Sequence, residues 1–356
     1  MKYLGSKRRL VPTLNEVARL VHADSAIDLF TGSTRVATAW RANGLAVTAV
    51  DRLRFVHTAA RTYVTTPLTT RRRHVLVAAI DDLNRLDGVD GYITETFCRQ
   101  ARFFTPENGA RADAIRAAIA DRHHGTWREP ILITALLEAA DRVDSTTGLQ
   151  MAYLKQWARR AATRLTLRVP EIPDGPVGRA VLGDATKVAR RLAPATLAYL
   201  DPPYNQHRYE TNYHVWETIC RGDAPEAYGV ARKRVALRDD PTSRSVFNDR
   251  RALPGALRAC IEQVPASIVV VSCSNEGWLG VDEVAGLCEA RGRPLVVAFD
   301  SARYVGARIG IHNPNGAKVG SISHVRNTEY LVIAGDLSRS QRRDLATLAS
   351  PPVACA

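Results

Sequence analysis

An acid, two prolines and a tyrosine, Asp201, Pro202, Pro203 and Tyr204, follow the mostly apolar run Leu197 to Leu200. Strand-like side chains that stop at two residues unable to extend a hydrogen-bonded ladder describe a buried strand ending in a rigid turn. In an open α/β sheet such a turn faces the crevice where ligands bind, so a carboxylate is presented where chemistry can be done. A second set of residues is spaced for holding a small molecule. Ala26 to Phe30 reads as a strand, Thr31 to Ser33 as a tight turn around Gly32, and Thr34 to Ala42 as a helix opened by hydroxyl residues that can cap it. Ala46 to Val50 is a second strand, and Asp51 follows it, nineteen residues beyond Gly32. That order seats a nucleotide-like cofactor, with the acid placed for ribose hydroxyls. The turn has no GxGxxG, so a cofactor without phosphates fits better than a dinucleotide.

Other elements must carry these two sets. Regular α/β alternation runs from Val177 to Leu182, through the strand before Asp201, to Ser267–Ser272, a helix near Asp282 to Arg291, and strands at Pro294–Phe299 and Glu329–Ala334. Between the two halves lies a mainly helical insert, residues 63–177, with the basic run Arg71 to Arg73 and helical patterns at Ala110–Ala120, Ile131–Val143 and Gln150–Leu165. The fold class is therefore α/β, with catalytic segments 1–62 and 178–336, the insert, and a loosely held tail from about residue 337 to 356. Within the insert, RFFTPENG (Arg102 to Gly109) joins two aromatics to a helix start, and those aromatics read as core.

The chain has 356 residues, a formal net charge of +13 and 46% hydrophobic residues, which is the composition of a folded protein, and the charge fits a polyanionic partner and arginine codon bias in a GC-rich genome equally. Arginine supplies most of the excess, and its planar fork suits phosphates and guanine edges. Six widely spaced cysteines without a CxxC pair signal neither a zinc site nor a disulfide framework, and no metal ligand set is expected. MKYLGSKRRL lacks a signal-peptide core and no apolar run is long enough to span a bilayer, so a soluble cytoplasmic protein with no membrane partner is expected, nucleoid-associated when on DNA.

Taken together, YLGSK (Tyr3 to Lys7), DLFTGS (Asp28 to Ser33), Asp51, RFFTPENG, LLEAADRV, YLDPPYNQHRYETNYH (Tyr199 to His214) and VVVSCSNEG (Val269 to Gly277) resemble the D12 class of DNA adenine-N6 methyltransferases, within it the FokI-type modification methyltransferases. The resemblance implies a Rossmann-like sheet that binds S-adenosyl-L-methionine and acts on double-stranded DNA. It places Tyr3, Gly5 and Lys7 near the methionine end of that cofactor, Asp28, Phe30 and Gly32 at its turn, Asp51 on its ribose and Asp184 on its adenine. Tyr209, Asn212, Tyr213 and His214 would line the target pocket or hold phosphates beside the extruded nucleotide. Where the family's turn usually reads FxGxG, Thr34 stands in place of the second glycine.

The same resemblance implies direct transfer of a methyl group to N6, without a covalent enzyme intermediate or a metal. Asp201 and the Pro202 carbonyl would accept the two amine hydrogens, while Tyr204 would stack on the flipped base. The helical insert would read DNA sequence. Nothing outside the resemblance is large enough for a nuclease, so a restriction endonuclease or defence-system protein would be a separate chain, and a solitary methyltransferase fits equally. Two rivals stand beside this reading. One keeps the fold and methylates RNA, cytosine N4 or a protein amide, although such enzymes tend to carry Asn or Ser in place of Asp201. The other is a DNA-binding protein that has lost catalysis, favoured only by Thr34.

Overall fold

The computed structural model describes residues 1–240, 243–302, 311–312, 318–320 and 326–348. Seven strands form one sheet: β1 (Ser25–Asp28), β2 (Ala46–Asp51), β3 (Arg179–Leu182), β4 (Ala195–Leu200), β5 (Ala266–Ser274), β6 (Leu295–Ala302) and β7 (Arg326–Gly335). Their spatial order is β3-β2-β1-β4-β5-β7-β6. The pairs β2/β3, β1/β4 and β4/β5 are parallel, whereas β7 runs antiparallel to both β5 and β6. A mostly parallel sheet with flanking helices is the α/β architecture expected. β4 has a neighbour on each side, with Ala198 opposite both Ile27 and Val269. Buried on both faces, such a strand must be apolar throughout, as Leu197 to Leu200 and Ile268 to Val271 are.

The chain divides into two compact units. The first comprises Met1–Ser6, Thr31–Asp184 and His207–Ser245. It holds α2 (Arg35–Ala42), α3 (Arg54–Tyr63), α4 (Thr70–Arg85), α5 (Pro106–His123), α6 (Glu129–Val143) and α7 (His214–Arg221). Its core draws Leu76, Ile80, Ile115, Leu136, Phe97 and Trp216 into one cluster. Phe103 and Phe104 are buried in that cluster as expected, and Thr105 caps α5 by accepting the Asn108 N–H at 3.3 Å. The patterns at Ala110–Ala120 and Ile131–Val143 fall inside α5 and α6. The pattern at Gln150–Leu165 does not form a helix. It is a loop with a single 3-10 turn at Arg159–Ala162, because Gln150, Leu154 and Ala158 spend their backbone N–H groups on Asn212 O, Ser145 O and Ser145 Oγ. Leu165 and Leu167 are then buried at the two-residue period of extended chain.

The second unit comprises Lys7–Phe30, Ala185–Gln206 and the chain from Val246 onward. Around β1 and β4 to β7 it carries α1 (Val11–Leu20), α8 (Leu253–Gln263), α9 (Val281–Cys288) and α10 (Arg339–Ala346). Helix α10 corrects the expectation of a loose tail as far as Leu348. Ser338 and Gln341 cap its start reciprocally, and Leu345 is fully buried. The remainder of that tail, 349–356, lies outside the described residues. Among the described residues no helix is long and apolar enough to cross a membrane.

Candidate active site

In the first unit, the end of β2 and the turn before α2 meet at Asp51. The Gly32 N–H donates to Asp51 Oδ2 at 3.0 Å and the Leu53 N–H to Oδ1 at 2.9 Å, so each oxygen keeps a lone pair for a further donor. Burial pushes this carboxyl up to about 6, although both N–H bonds pull it down. Asp51 pairs with Leu182 on β3, and its carbonyl accepts the Gly183 N–H at 2.9 Å, which brings Asp184 to the neighbouring strand end. Gly32 has φ +47°, and a Cβ there would stand 3.0 Å from the Tyr3 ring. Tyr3 is held against the turn by stacking on Tyr213 and Tyr209, with centroids 4.7 and 5.3 Å away. Gly5, at φ +70°, passes close to the Tyr209 hydroxyl. Tyr3, Gly5, Gly32, Asp51 and Asp184 thus gather within one unit around an acceptor-rich, aromatic-walled turn.

Thr34 does not cap α2 as its hydroxyl suggested. Its φ of +60° is left-handed, and Oγ1 turns back to donate to Ser33 O at 2.7 Å. A β-branched residue here pays the strain that a glycine avoids, which is the physical meaning of the departure from FxGxG.

In the second unit, β4 delivers Asp201 beside a buried cation. Lys7 Nζ lies 3.1 Å from Asp201 Oδ1 and 3.8 Å from Glu329 Oε2, with the Lys7 side chain 7% and the Asp201 side chain 16% exposed. Burial raises the Asp201 carboxyl to about 6 even though Lys7 opposes it. Burial works to lower Lys7, but Asp201, the tyrosines 204 and 199, and Glu329 outweigh it and hold the ammonium well above its ordinary value. Lys7 also sits 5.7 Å from the Tyr204 ring centroid. The turn after Asp201 is fixed: Tyr204 O accepts the Trp278 N–H at 2.9 Å, and Asn205 O accepts from Asn248 Nδ2 at 3.0 Å. Asp28 closes β1 opposite Tyr199 of β4, while Phe30 meets Phe247 edge-on at 5.0 Å. A carboxylate, a proline-held carbonyl and an aromatic ring at a strand end can grip a planar amine. Among the described residues no three His, Cys, Asp or Glu side chains group as metal ligands.

The model of the D12 class N6 adenine-specific DNA methyltransferases matches residues 3–247, from Tyr3 past Asp201 and Tyr204. The chain belongs to that class. It is 26% identical over 318 residues to the type II methyltransferase FokI of Planomicrobium okeanokoites, covering 83% of this chain and 47% of that one. The modification methylase StsI of Streptococcus sanguinis is 25% identical over 81% of this chain and 46% of its own. The type II methyltransferase NlaIII of Neisseria lactamica is 26% identical over 85% of this chain and 92% of its own. The chain therefore spans about half the length of the first two relatives and most of the third.

Within this D12 class chain, the segment after Asp201 is bonded into the first unit. Tyr209 is half-buried and faces the N-terminal strap, and Asn212, Tyr213 and His214 are buried. The Tyr213 hydroxyl accepts the Leu4 N–H at 2.5 Å and so latches YLGSK in place. The Asn212 carbonyl accepts the Gln150 N–H, and neutral His214, its basicity lowered by burial to about 3, sits with Nε2 3.0 Å from Gln150 O. They fasten one segment to another. Sequence reasoning also missed Glu329, taken only as a strand start. An acid opening the apolar run Tyr330 to Ala334 was the available signal, and the register opposite Ser274 turns it toward Lys7.

Proposed function

We propose that this chain is a site-specific DNA methyltransferase that moves a methyl group from S-adenosyl-L-methionine to N6 of an adenine swung out of duplex DNA. The observation that carries this is Asp201, ending a buried strand beside Pro202 and Tyr204 and ion-paired to Lys7. The exocyclic amine of adenine is a poor nucleophile, because its lone pair is delocalised into the ring. Asp201 and the Pro202 carbonyl each take one N–H, so the nitrogen can pyramidalise as it attacks. Lys7 keeps the carboxylate ionised, Tyr204 stacks on the base, and the N6 proton leaves afterwards to Asp201 or to water.

The residues of the chain suit the cofactor. Asp51, with a lone pair left on each oxygen, would take the ribose hydroxyls, Asp184 the adenine, and the strap Tyr3, Gly5 and Lys7 with Asp28, Phe30 and Gly32 the methionine side. S-adenosyl-L-methionine supplies the electrophilic methyl group when bound. Extruding the base costs a few kcal/mol, which phosphate contacts by a protein of net charge +13 offset. We read residues 63–177 as the region that selects the target, a restriction endonuclease or defence-system protein as a partner, and the cytoplasm as the place of action. Expression in a methylation-free host followed by single-molecule sequencing should reveal N6-methyladenine at one short motif. Asp201→Ala should abolish it while cofactor and DNA binding persist. Unmodified host DNA with the wild-type chain, or full activity in Asp201→Ala, overturns the reading.

A further inference from the structure

From Ser145 to Pro170 the chain contains five cations, Lys155, Arg159, Arg160, Arg164 and Arg168, and no acid. The start of this stretch is built into the first unit. Ser145 N–H donates to Phe103 O at 2.8 Å, Leu154 N–H to Ser145 O at 2.8 Å, Ala158 N–H to Ser145 Oγ at 3.1 Å, and Gln150 is bound on both sides by Asn212 and His214. Arg160 is committed inward, donating from Nε to buried Asp144 at 2.9 Å. Lys155, Arg159, Arg164 and Arg168, in contrast, are exposed.

The same loop exposes two large apolar side chains, Met151 at 42% and Trp157 at 41%. An indole two-fifths exposed on an internally bonded loop keeps apolar surface available to a partner. The Arg102 guanidinium lies 4.7 Å from its ring centroid and also donates to Lys155 O, so ring and loop are held in one orientation. A preoriented aromatic ring in a stretch that carries exposed arginines and no acid of its own is the composition of a stacking platform for bases along a phosphate backbone.

We propose that the loop from Ser145 to Arg164 is a DNA-contacting element in which Trp157 stacks on a base or wedges into a base step, while Lys155, Arg159 and Arg164 hold the flanking phosphates. It deepens the DNA methyltransferase reading and rests on it. Inserted apolar side chains part a base step and bend the duplex, which helps an enzyme that must bring one base out of the stack. The NYH triplet then has a role in this chain: Asn212 and His214 hold the foot of the loop that touches DNA.

The test uses the full chain and a 30-bp duplex centred on the adenine found modified in the expression host. Trp157→Ala should weaken duplex binding roughly 10- to 100-fold, the range of losing one aromatic–base stack, without changing the salt dependence, since no phosphate contact is lost. Trp157→Phe should stay within about threefold of wild type. S-adenosyl-L-methionine affinity and the urea unfolding midpoint should not move in either variant. Equal duplex affinity in Trp157→Ala and wild type overturns the proposal while leaving the methyltransferase reading intact. Equal losses in both variants with a lowered midpoint also overturn it, because the indole then serves only the fold. A wild-type chain that leaves host DNA unmodified overturns the methyltransferase reading and this proposal with it.

Discussion

Lys7 Nζ stands 3.1 Å from Asp201 Oδ1, and this pair sets the charge of the residue on which the proposed chemistry depends. Asp201 must be ionised to accept an amine hydrogen, and burial holds its carboxyl near 6 with Lys7 in place. Activity should therefore fall as pH drops through about 6. In Lys7→Met burial acts without its main opponent, so the acid limb moves upward. The variant should turn over roughly tenfold more slowly at pH 7 and recover most of that loss by about pH 9. Single-turnover rates at saturating cofactor across that range check the sign, and a profile unchanged from wild type removes Lys7 from this role.

Glu329 should act in the opposite direction. Its Oε2 is 3.8 Å from Lys7 Nζ, and its negative charge helps to raise Asp201. Glu329→Gln removes that repulsion and frees Lys7 to serve Asp201 alone, so the acid limb shifts below the wild-type position. The same single-turnover profile reads it. An upward shift would mean that Glu329 acts only by seating Lys7.

Asp51 titrates near 6 as well, but its effect belongs to cofactor affinity rather than to rate. Below that pH the protonated carboxyl loses acceptor strength toward ribose hydroxyls, and S-adenosyl-L-methionine binding should weaken as pH falls from 7 to 5. Asp51→Asn should weaken binding roughly 10- to 100-fold, the loss of hydrogen bonds to a charged group, and flatten the pH dependence. Calorimetric titration at three pH values checks both parts.

These couplings mark the limit of what the chain discloses locally. The strands were legible because a buried parallel strand must be a continuous apolar run, and Leu197–Leu200 and Ile268–Val271 are such runs. RFFTPENG was legible because Thr105, Pro106 and the aromatics before them each do a local job. The stretch from Gln150 to Leu165 was misread as helix because its apolar spacing suits one. The bonds to Asn212 and His214 come from distant positions that no window contains. Lys7 was likewise readable as a motif residue, but its pairing with Asp201 and Glu329 is a product of tertiary structure.

Thr34 offers a test of stored strain. A β-branched residue at φ +60° costs about 1–2 kcal/mol, while a glycine costs roughly 0.5–1 kcal/mol through the unfolded chain. Thr34→Gly relieves that strain but also loses the hydroxyl bond to Ser33 O, so it should leave stability within about 1 kcal/mol of wild type. Thr34→Val keeps the strain and loses the hydroxyl bond to Ser33 O, so it should destabilise by about 1 kcal/mol. The urea unfolding midpoint of Thr34→Gly should therefore lie above that of Thr34→Val, and a glycine midpoint at or below the valine one would show that the strain is not borne by this residue.

Gln150 ties the loop that carries Trp157 to the helix that begins at His214. Its Oε1 accepts the Val215 N–H at 2.9 Å, so Gln150→Ala leaves that buried donor without its partner. The expected cost is about 1–3 kcal/mol of stability, the desolvation penalty of one unsatisfied N–H. Because the side chain reaches α7 and not the turn at Gly32, cofactor affinity should hold at a temperature where the variant remains folded. Duplex affinity should fall as the loop loses its fixed orientation. Amide hydrogen exchange should show Val215 and Leu154 losing protection together. Faster exchange at Val215 alone, with duplex binding intact, would show that the loop keeps its shape through Ser145 and does not depend on Gln150.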